Sequence, residues 1–392
     1  MSNGELDTTL KPKKKNKFLS IVMFFLISGA IGAALGMLLT TYLKEFMNVH
    51  IKSNNMFVEM LKVYGLIFIF FAGFLIHIVI HEAGHLFFGL ISGYSFVSFR
   101  IGSFTLIKEN KKLKHKKFNI PGTGGQCIMM PPALKDGKYP FVVYNFGGVI
   151  MNLIVAIAGI LVVIFVEGVI FPLDAILVLV SAAGIVAALT NGIPMKMGGI
   201  SNDAYNVLSM LKDEEARSGF YIQLRVCGLQ SLGTRIKDMP LEMFKLKENS
   251  DLCNPMNTAT RLIEYNWHLD NLNLESAKQS IDSFIPYFDK LIPLFRNEVN
   301  CERIFLELAG NCDKAIIDDL YDKNLKKYIK AAKYMISKKR LLMAYEGFYN
   351  EDKSKALKYY EDTKQLCKKY PVKGDADMEL MIVEWIKEKL SI

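Results

Sequence analysis

The sequence predicts an α-helical, multi-pass membrane protein with a soluble, all-α domain at its C-terminal end. Three observations support this class. Hydrophobic residues make up 51% of the 392 residues, which is more than an average soluble protein contains. Nearly all of this apolar sequence precedes residue 200. From about Asp213 onward the chain is charged, and its hydrophobic residues recur at the three-and-four spacing of amphipathic helices.

Four segments are long and apolar enough to cross a bilayer, which takes roughly 20 residues. The first follows a basic leader, but its uncharged run is longer than the apolar region of a signal peptide. We therefore expect it to be an anchor helix. The predicted domains are a basic N-terminus (1–17), a membrane domain (18–212) and a helical domain (213–392). The predicted spans are residues 18–43, 63–93, 141–166 and 175–191.

The lysines indicate the orientation of these spans. They concentrate in residues 11–17, before the first span, and in residues 100–117, after the second. Basic loops stay in the cytoplasm, so we expect the N-terminus, the loop 95–140 and the C-terminal domain to be cytoplasmic. The net charge of +9 then reflects topology, and we expect no nucleic-acid partner. The six cysteines show no CxxC motif, which fits free thiols in a reducing compartment.

The motif His81-Glu82-Ala83-Gly84-His85 lies near the cytoplasmic end of the second predicted span. Two histidines four residues apart share one face of a helix, where both can hold a zinc ion while the glutamate reaches a water at the metal. Glu82 is the one acidic residue between Val63 and Tyr94, and an ionisable residue at bilayer depth marks a functional site. The motif predicts one catalytic Zn²⁺ per chain.

Two histidines leave a catalytic zinc ion one protein ligand short. Asp203 is the acidic candidate on the cytoplasmic side, after a break that contains Asn191 and Pro194. Such a break at membrane depth is tolerated where the backbone is sheltered or lines a wet cavity. The alternative is that Asp203 is the N-cap of a helix starting near Ala204. We expect His77, one turn before His81, to be a packing residue, because a fourth protein ligand would close the site to water.

Residues 57–210 resemble the site-2 protease family of intramembrane zinc metalloproteases. His81, Glu82 and His85 match its H-E-x-x-H motif, Asn191, Pro194 and Asp203 are similar to its asparagine-proline and Asp-Gly element, and residues 146–152 are similar to its glycine-rich patch ending in Asn. Two features depart from the family pattern: Ala204 stands where the family usually has Gly, and Asp203 follows Pro194 by nine positions, which is longer than usual.

The resemblance implies a zinc metalloendopeptidase that hydrolyses a peptide bond in or near a transmembrane segment of a membrane protein or peptide precursor. His81, His85 and Asp203 would hold the metal, and Glu82 would act as the general base. Asn152 would position the scissile carbonyl, with Asn191 and Pro194 also near the substrate. The alternative for Asn152 is a polar residue that hydrogen bonds across helices. We expect the plasma membrane of a bacterium as the location.

Residues 95–120 alternate in the manner of a basic hairpin with a turn near Glu109 and Asn110. The alternative is a solvated loop that touches lipid headgroups. Residues 124–130 then predict a short, re-entrant strand beside the zinc site. The open edge of such a strand can pair with an unwound substrate. We therefore expect Gly125, Gln126 and Cys127 to position substrate.

In the C-terminal domain, the segments 274–278, 312–316 and 353–357 look alike, and each follows another predicted helix. Paired helices of this kind resemble tetratricopeptide repeats, whose groove would bind a protein partner; a plain helical bundle is the alternative. Two rival functions remain. One is a prenyl-protein-processing zinc protease, which would need a second glutamate ligand at cytoplasmic depth. The other is a membrane-anchored adaptor with a vestigial zinc site.

Overall fold

The computed structural model describes residues 47–109, 112–120, 124–197 and 200–392. The basic N-terminus and the predicted first span (18–43) lie outside the described residues, as does Asn110 of the predicted turn. The chain divides into two compact units, Met1–Ile69 and Phe70–Ile392. The candidate site lies entirely in the second unit.

Three helices in the described part of the chain are long and apolar enough to cross a membrane. This confirms the predicted class of a mostly helical, multi-pass membrane protein. The first helix begins before the predicted boundary at residue 63, and its first turns include the charged residues Glu59 and Lys62. The Asn55 side chain accepts a hydrogen bond from the Phe57 N–H at this end. The three helices are α1 (Met56–Ile91), α2 (Phe141–Phe165) and α3 (Leu173–Gly192).

Glycines allow α1 and α2 to approach closely, as is common for helices that pack within a membrane. A Cβ atom added at Gly84 of α1 would lie 2.3 Å from the carbonyl oxygen of Gly147 in α2. The same helix pair meets again at Gly148, whose bare backbone faces the His81 ring. Helix α2 also packs along α3. The metal-binding motif therefore lies where α1 contacts α2.

An antiparallel sheet follows α1, and its strands are β1 (Ser95–Ile101), β2 (Phe104–Glu109), β3 (Lys112–Lys117) and β4 (Gly125–Met130). Their order in the sheet is β3-β2-β1-β4. The prediction of a strand near residues 124–130 is confirmed. The predicted reversal near Glu109 is confirmed, because β2 and β3 pair antiparallel with Glu109 opposite Lys112. The prediction is wrong in having one strand before that turn, because β1 and β2 both lie there. A turn at Gly102, with φ of 55°, reverses the chain directly after β1, and glycine adopts this conformation without strain.

Two short elements connect the last membrane-length helix to the soluble region. The two-residue strands β5 (Lys196–Met197) and β6 (Ile200–Ser201) pair with each other. Helix α4 (Asp203–Lys212) follows, and helix α5 (Glu214–Ser231) comes next. Between β5 and β6, Gly198 and Gly199 lie outside the described residues. This connection is what delivers Asp203 to the site.

The rest of the described chain is helical, as predicted, and packs around one apolar core. Arg340 is buried in this core, where its guanidinium donates to Glu302 and Glu379, each at 2.8 Å. Similarity to tetratricopeptide repeats stays a prediction. The helices are α6 (Pro255–Asp270), α7 (Leu274–Asp282), α8 (Pro293–Ala309), α9 (Lys314–Leu320), α10 (Lys323–Ala331), α11 (Ile336–Ala344), α12 (Lys353–Lys369) and α13 (Lys373–Leu390).

Helix α5 joins the sheet to the C-terminal helices. On one side, a Cβ added at Gly228 would lie 2.7 Å from the Cβ of Met130 in β4, and Arg225 donates to the Pro131 carbonyl at 3.3 Å. On the other side, Gly219 packs against Met256 of α6, with an added Cβ at 3.0 Å. Through α5, the C-terminal helices are thereby in contact with the strand that lies at the candidate site.

Candidate metal centre and catalytic site

The side chains of His81, His85 and Asp203 converge on one point. The two Nε2 atoms are 3.1 Å apart, and Asp203 Oδ2 lies 3.0 Å from Nε2 of His81 and 3.4 Å from Nε2 of His85. Among the residues that the structure describes, these three form a group that could hold a metal ion. Sequence reasoning named all three, and the fold brings them together from α1 and α4.

The donor set fits a catalytic zinc ion. Asp203 Oδ2 is buried, and despite the short distances no described group is aligned to hydrogen bond with it. Burial opposes ionisation of Asp203, but the two imidazoles more than offset this effect, so the pKa of its carboxyl lies below its ordinary value. An ionised carboxylate and two imidazoles are the ligands of catalytic zinc sites that keep a position open for water.

Each imidazole has a hydrogen-bond partner at Nδ1, the ring nitrogen that does not face Asp203. Nδ1 of His85 lies 2.8 Å from the Tyr144 carbonyl oxygen, and Nδ1 of His81 lies 3.4 Å from the side-chain amide of Asn152. Hydrogen bonds at this position fix the ring orientation of metal-ligating histidines. The role of the Tyr144 carbonyl could not be predicted from the sequence, because every residue type has a backbone carbonyl that can accept such a hydrogen bond.

Glu82 lies between the metal-binding histidines in the sequence and against strand β4 in space. A Cβ added at Gly125 would be 2.6 Å from Glu82 Cγ, so only a glycine leaves room for this side chain. The Cys127 N–H hydrogen bonds to Glu82. The Tyr144 hydroxyl donates to the Cys127 carbonyl at 3.0 Å. Two of the three predicted strand residues therefore contact the candidate base: Gly125 packs against Glu82, and Cys127 bonds both to Glu82 and to Tyr144 of α2.

The free edge of β4 is partly occupied by the protein itself. Strand β4 pairs with β1 on one side, where Cys127 lies opposite Phe99. On the other side, the N–H of Cys127 bonds to Glu82 and its carbonyl accepts from the Tyr144 hydroxyl. Because alternate residues of a strand point their backbone groups to the same side, Gly125 directs its N–H and carbonyl to this free edge. Gln126, the third predicted strand residue, is exposed.

Asn202 positions Asp203, and sequence reasoning missed it. Its side chain accepts from the Tyr205 N–H at 3.0 Å, which makes Asn202 the N-cap of α4. Its amide also donates to the carbonyls of Thr190 and Ile193, at 2.8 and 2.6 Å. The alternative role considered for Asp203, that of N-cap, therefore belongs to its neighbour. The signal was present, since asparagine directly before a helix is a preferred N-cap.

The remaining predicted residues differ in how close they lie to the metal-binding group and in how exposed they are. Asn152 has no exposed surface and lies between His81 and His77, whose Nδ1 is 3.1 Å from Asn152 Oδ1. His77 is also fully buried and is not part of the metal-binding group. Asn191 donates within its own helix, to the Ala187 carbonyl at 3.3 Å. Pro194 is exposed in the connection after α3.

Comparison with curated proteins and with solved structures yields no match. Comparison with protein families does: the sequence pattern of Peptidase family M50 matches residues 69–344. The match includes both histidines and Glu82 on α1, Asp203 on α4, and much of the C-terminal helical region. It spans more than half of the chain, so the protein belongs to Peptidase family M50, the membrane metalloproteases of the site-2 protease kind.

Proposed function

We propose that this protein is an intramembrane zinc endopeptidase that cleaves a membrane protein or peptide precursor in or near a transmembrane segment. One observation carries the proposal. On a helix long and apolar enough to cross a membrane, His81 and His85 share one face, and Asp203 reaches them from another helix with Oδ2 at 3.0 and 3.4 Å. Glu82 lies beside them, where a general base is needed.

Each residue has a distinct part in the proposed reaction. His81, His85 and Asp203 hold the zinc ion, which when bound would acidify a water molecule and polarise the scissile carbonyl. Glu82 takes a proton from that water and passes it to the leaving amine. The Cys127 N–H, which bonds to Glu82, keeps the carboxylate directed at the site. The carbonyl of Tyr144 keeps His85 in the ring orientation that exposes Nε2.

Strand β4 supports a proposal for substrate binding. A helix cannot be cleaved until its carbonyls leave their internal hydrogen bonds, and an extended peptide can pair with an open strand edge. At Gly125 the free edge of β4 lies against Glu82. At Cys127 the backbone N–H and carbonyl of this edge already bond to Glu82 and Tyr144. We therefore propose that the unwound substrate pairs at Gly125, and that Gln126, Asn191 and Pro194 lie along its path.

The proposed location is the plasma membrane of a bacterium, with the site near the cytoplasmic face. The lysine-rich strand β3 supports this orientation, because basic segments remain on the cytoplasmic side. The C-terminal helices would then be cytoplasmic and available to a protein partner. A membrane adaptor with a vestigial site would not need the ligand group and the base to remain together, and no observation favours it.

The test is a glutamine substitution at the base. Glu82→Gln keeps the shape of the side chain but removes the carboxylate that accepts the proton, so zinc content should stay near one per chain while cleavage falls at least about 100-fold. The measurement is hydrolysis of a synthetic transmembrane peptide by the purified full-length protein in lipid vesicles, together with the zinc content of each preparation.

Glu59→Gln is the matched control, because Glu59 is an acidic residue on the same helix, in its first turn. Its substitution should leave both zinc content and cleavage unchanged. Cleavage by Glu82→Gln at the wild-type rate would rule out the proposed mechanism. A wild-type protein that binds no zinc would rule out the proposed function itself.

A further inference from the structure

We infer that Asn152 and His77 form a hydrogen-bonded chain that fixes the tautomer and orientation of His81, so that Asn152 positions a metal ligand and does not bind the scissile carbonyl. This inference rests on the proposed zinc site. It assigns a part to His77, which the proposed reaction does not use. Neither residue would touch substrate or metal, and both are therefore positioning residues.

The geometry places the amide of Asn152 between two imidazoles. His77 and His81 are one helical turn apart, so their rings lie on the same face of α1. Asn152, on α2, has Oδ1 3.1 Å from Nδ1 of His77 and Nδ2 3.4 Å from Nδ1 of His81. Both ends of the amide are directed at imidazoles, and the side chain has no exposed surface. This leaves Asn152 poorly placed to meet a substrate carbonyl.

Metal binding sets the direction of the hydrogen bonds in this chain. A histidine that binds zinc through Nε2 carries its proton on Nδ1, and that N–H needs an acceptor. The oxygen and nitrogen of a side-chain amide exchange places by a half-turn. With Oδ1 of Asn152 turned toward His81, it accepts from the Nδ1–H of that residue. The Nδ2 group then points at His77 and donates to its Nδ1.

This arrangement requires a neutral His77 with its proton on Nε2. The Nε2 atom of His77 is buried and has no hydrogen-bond partner among the described residues, so Asn152 is the described group to which this ring hydrogen bonds. His77 therefore accepts from Asn152 and holds its amide in one orientation. The orientation of the amide in turn holds the proton of His81 on Nδ1, which leaves Nε2 free for the metal.

Two glycines lock the rings that this chain connects. A Cβ added at Gly148 would lie 2.4 Å from Cε1 of His81, and one added at Gly184 would lie 2.3 Å from Cε1 of His77. Each imidazole therefore fills the volume that a side chain would take at a glycine, in α2 for His81 and in α3 for His77.

The test measures zinc affinity of the purified full-length protein by competition with a chelator. Asn152→Leu removes the acceptor with little change in size, and we expect affinity to fall by about 10- to 100-fold, the usual effect of losing such a partner. Asn152→Asp keeps an acceptor and should remain within about threefold of the wild type on the same scale. His77→Leu should give a smaller loss than Asn152→Leu, because the amide stays but loses its fixed orientation.

Asn145→Leu is the matched control. Asn145 is a buried asparagine on the same helix, and its amide donates to the Phe141 carbonyl. Its substitution should destabilise the helix comparably without changing zinc affinity. Nitrogen-15 NMR of the histidines gives a second measurement: the Nδ1-protonated form of His81 should dominate in the zinc-bound wild type and in Asn152→Asp.

The outcomes separate the inference from the proposed function. If Asn152→Leu binds zinc as tightly as the wild type but cleaves more slowly, Asn152 acts on substrate and the inference is wrong. An equal loss of affinity in Asn145→Leu would also overturn it, because the effect would be structural. If the wild-type protein binds no zinc at all, the proposed function fails, and the positioning role fails with it.

Discussion

At the scale of single residues, the site depends on glycines, which have no side chain, as much as on the side chains that carry its chemistry. Gly125 leaves space for Glu82, and Gly148 leaves space for the ring of His81. The histidines and Glu82 could be recognised from the sequence, because their types and spacing carry the chemistry. The glycines could not be matched to particular side chains, because a glycine does not reveal which atom on another helix fills its space.

Gly148→Ala should therefore disrupt the metal site. The added Cβ would lie 2.4 to 2.6 Å from three atoms of the His81 ring, so the ring must move and zinc affinity should fall at least about tenfold, as when a supporting contact is lost. Gly65→Ala is the control, because an added Cβ there meets no described atom within 4 Å beyond its own helix backbone and sequence neighbours. Zinc content measured after dialysis compares the two; equal retention would show that the ring has room to shift.

At the scale of elements, the start of α4 decides whether Asp203 reaches the histidines. Asn202 caps this helix and also binds the carbonyls of Thr190 and Ile193, so a single side chain ties the end of α3 to the start of α4. The sequence predicts a helix starting near residue 204 and an acidic ligand there. It could not show how the intervening residues fold back, because this depends on hydrogen bonds between residues 7 to 12 positions apart.

Asn202→Ala should weaken both the helix and the metal site. The lost cap should cost about 1 kcal/mol of stability, and the freed connection should lower zinc affinity as well. Asn273→Ala is matched to it, since Asn273 caps α7 through the Ser276 N–H at 3.1 Å but lies far along the chain from the site. Thermal unfolding and chelator competition would be measured for both variants. A similar stability loss with unchanged zinc affinity in both would show that Asn202 is only a cap.

The sheet shows why one element was predicted and another was not. Strand β4 was predicted because it is a short apolar run between a glycine pair and a proline pair. The division of residues 95–120 into three strands was missed, because the turn at Gly102 falls within an apparently continuous alternating pattern. Only the pairing of Ile101 with Phe104 reveals the reversal there. Local patterns identify strands more readily than they identify the turns that set strand order.

At the scale of the whole molecule, the C-terminal helices are connected to the candidate site through α5. This helix contacts β4 at Gly228 and α6 at Gly219, and the hairpin of β2 and β3 adds a contact from Lys116 to the Tyr370 carbonyl at 2.7 Å. The sequence predicts a separate recognition domain after residue 212. The position of that domain against β4 could not be predicted, because the contacts join side chains that are distant in sequence.

Gly228→Ala should therefore reduce cleavage while leaving zinc bound. The added Cβ would lie 2.7 to 2.9 Å from three side-chain atoms of Met130, including its Cβ, which cannot move without the strand. Strand β4 would shift beside Glu82, and a displacement of about 1 Å can slow a reaction by about 100-fold. His81, His85 and Asp203 lie on α1 and α4, so zinc content should not change. Gly219 lies on the same helix as Gly228 but packs against Met256 of α6, so Gly219→Ala should lower stability but spare cleavage. Normal cleavage by Gly228→Ala would show that the helical domain does not influence the strand, whereas loss of zinc would show that α5 supports the ligands as well.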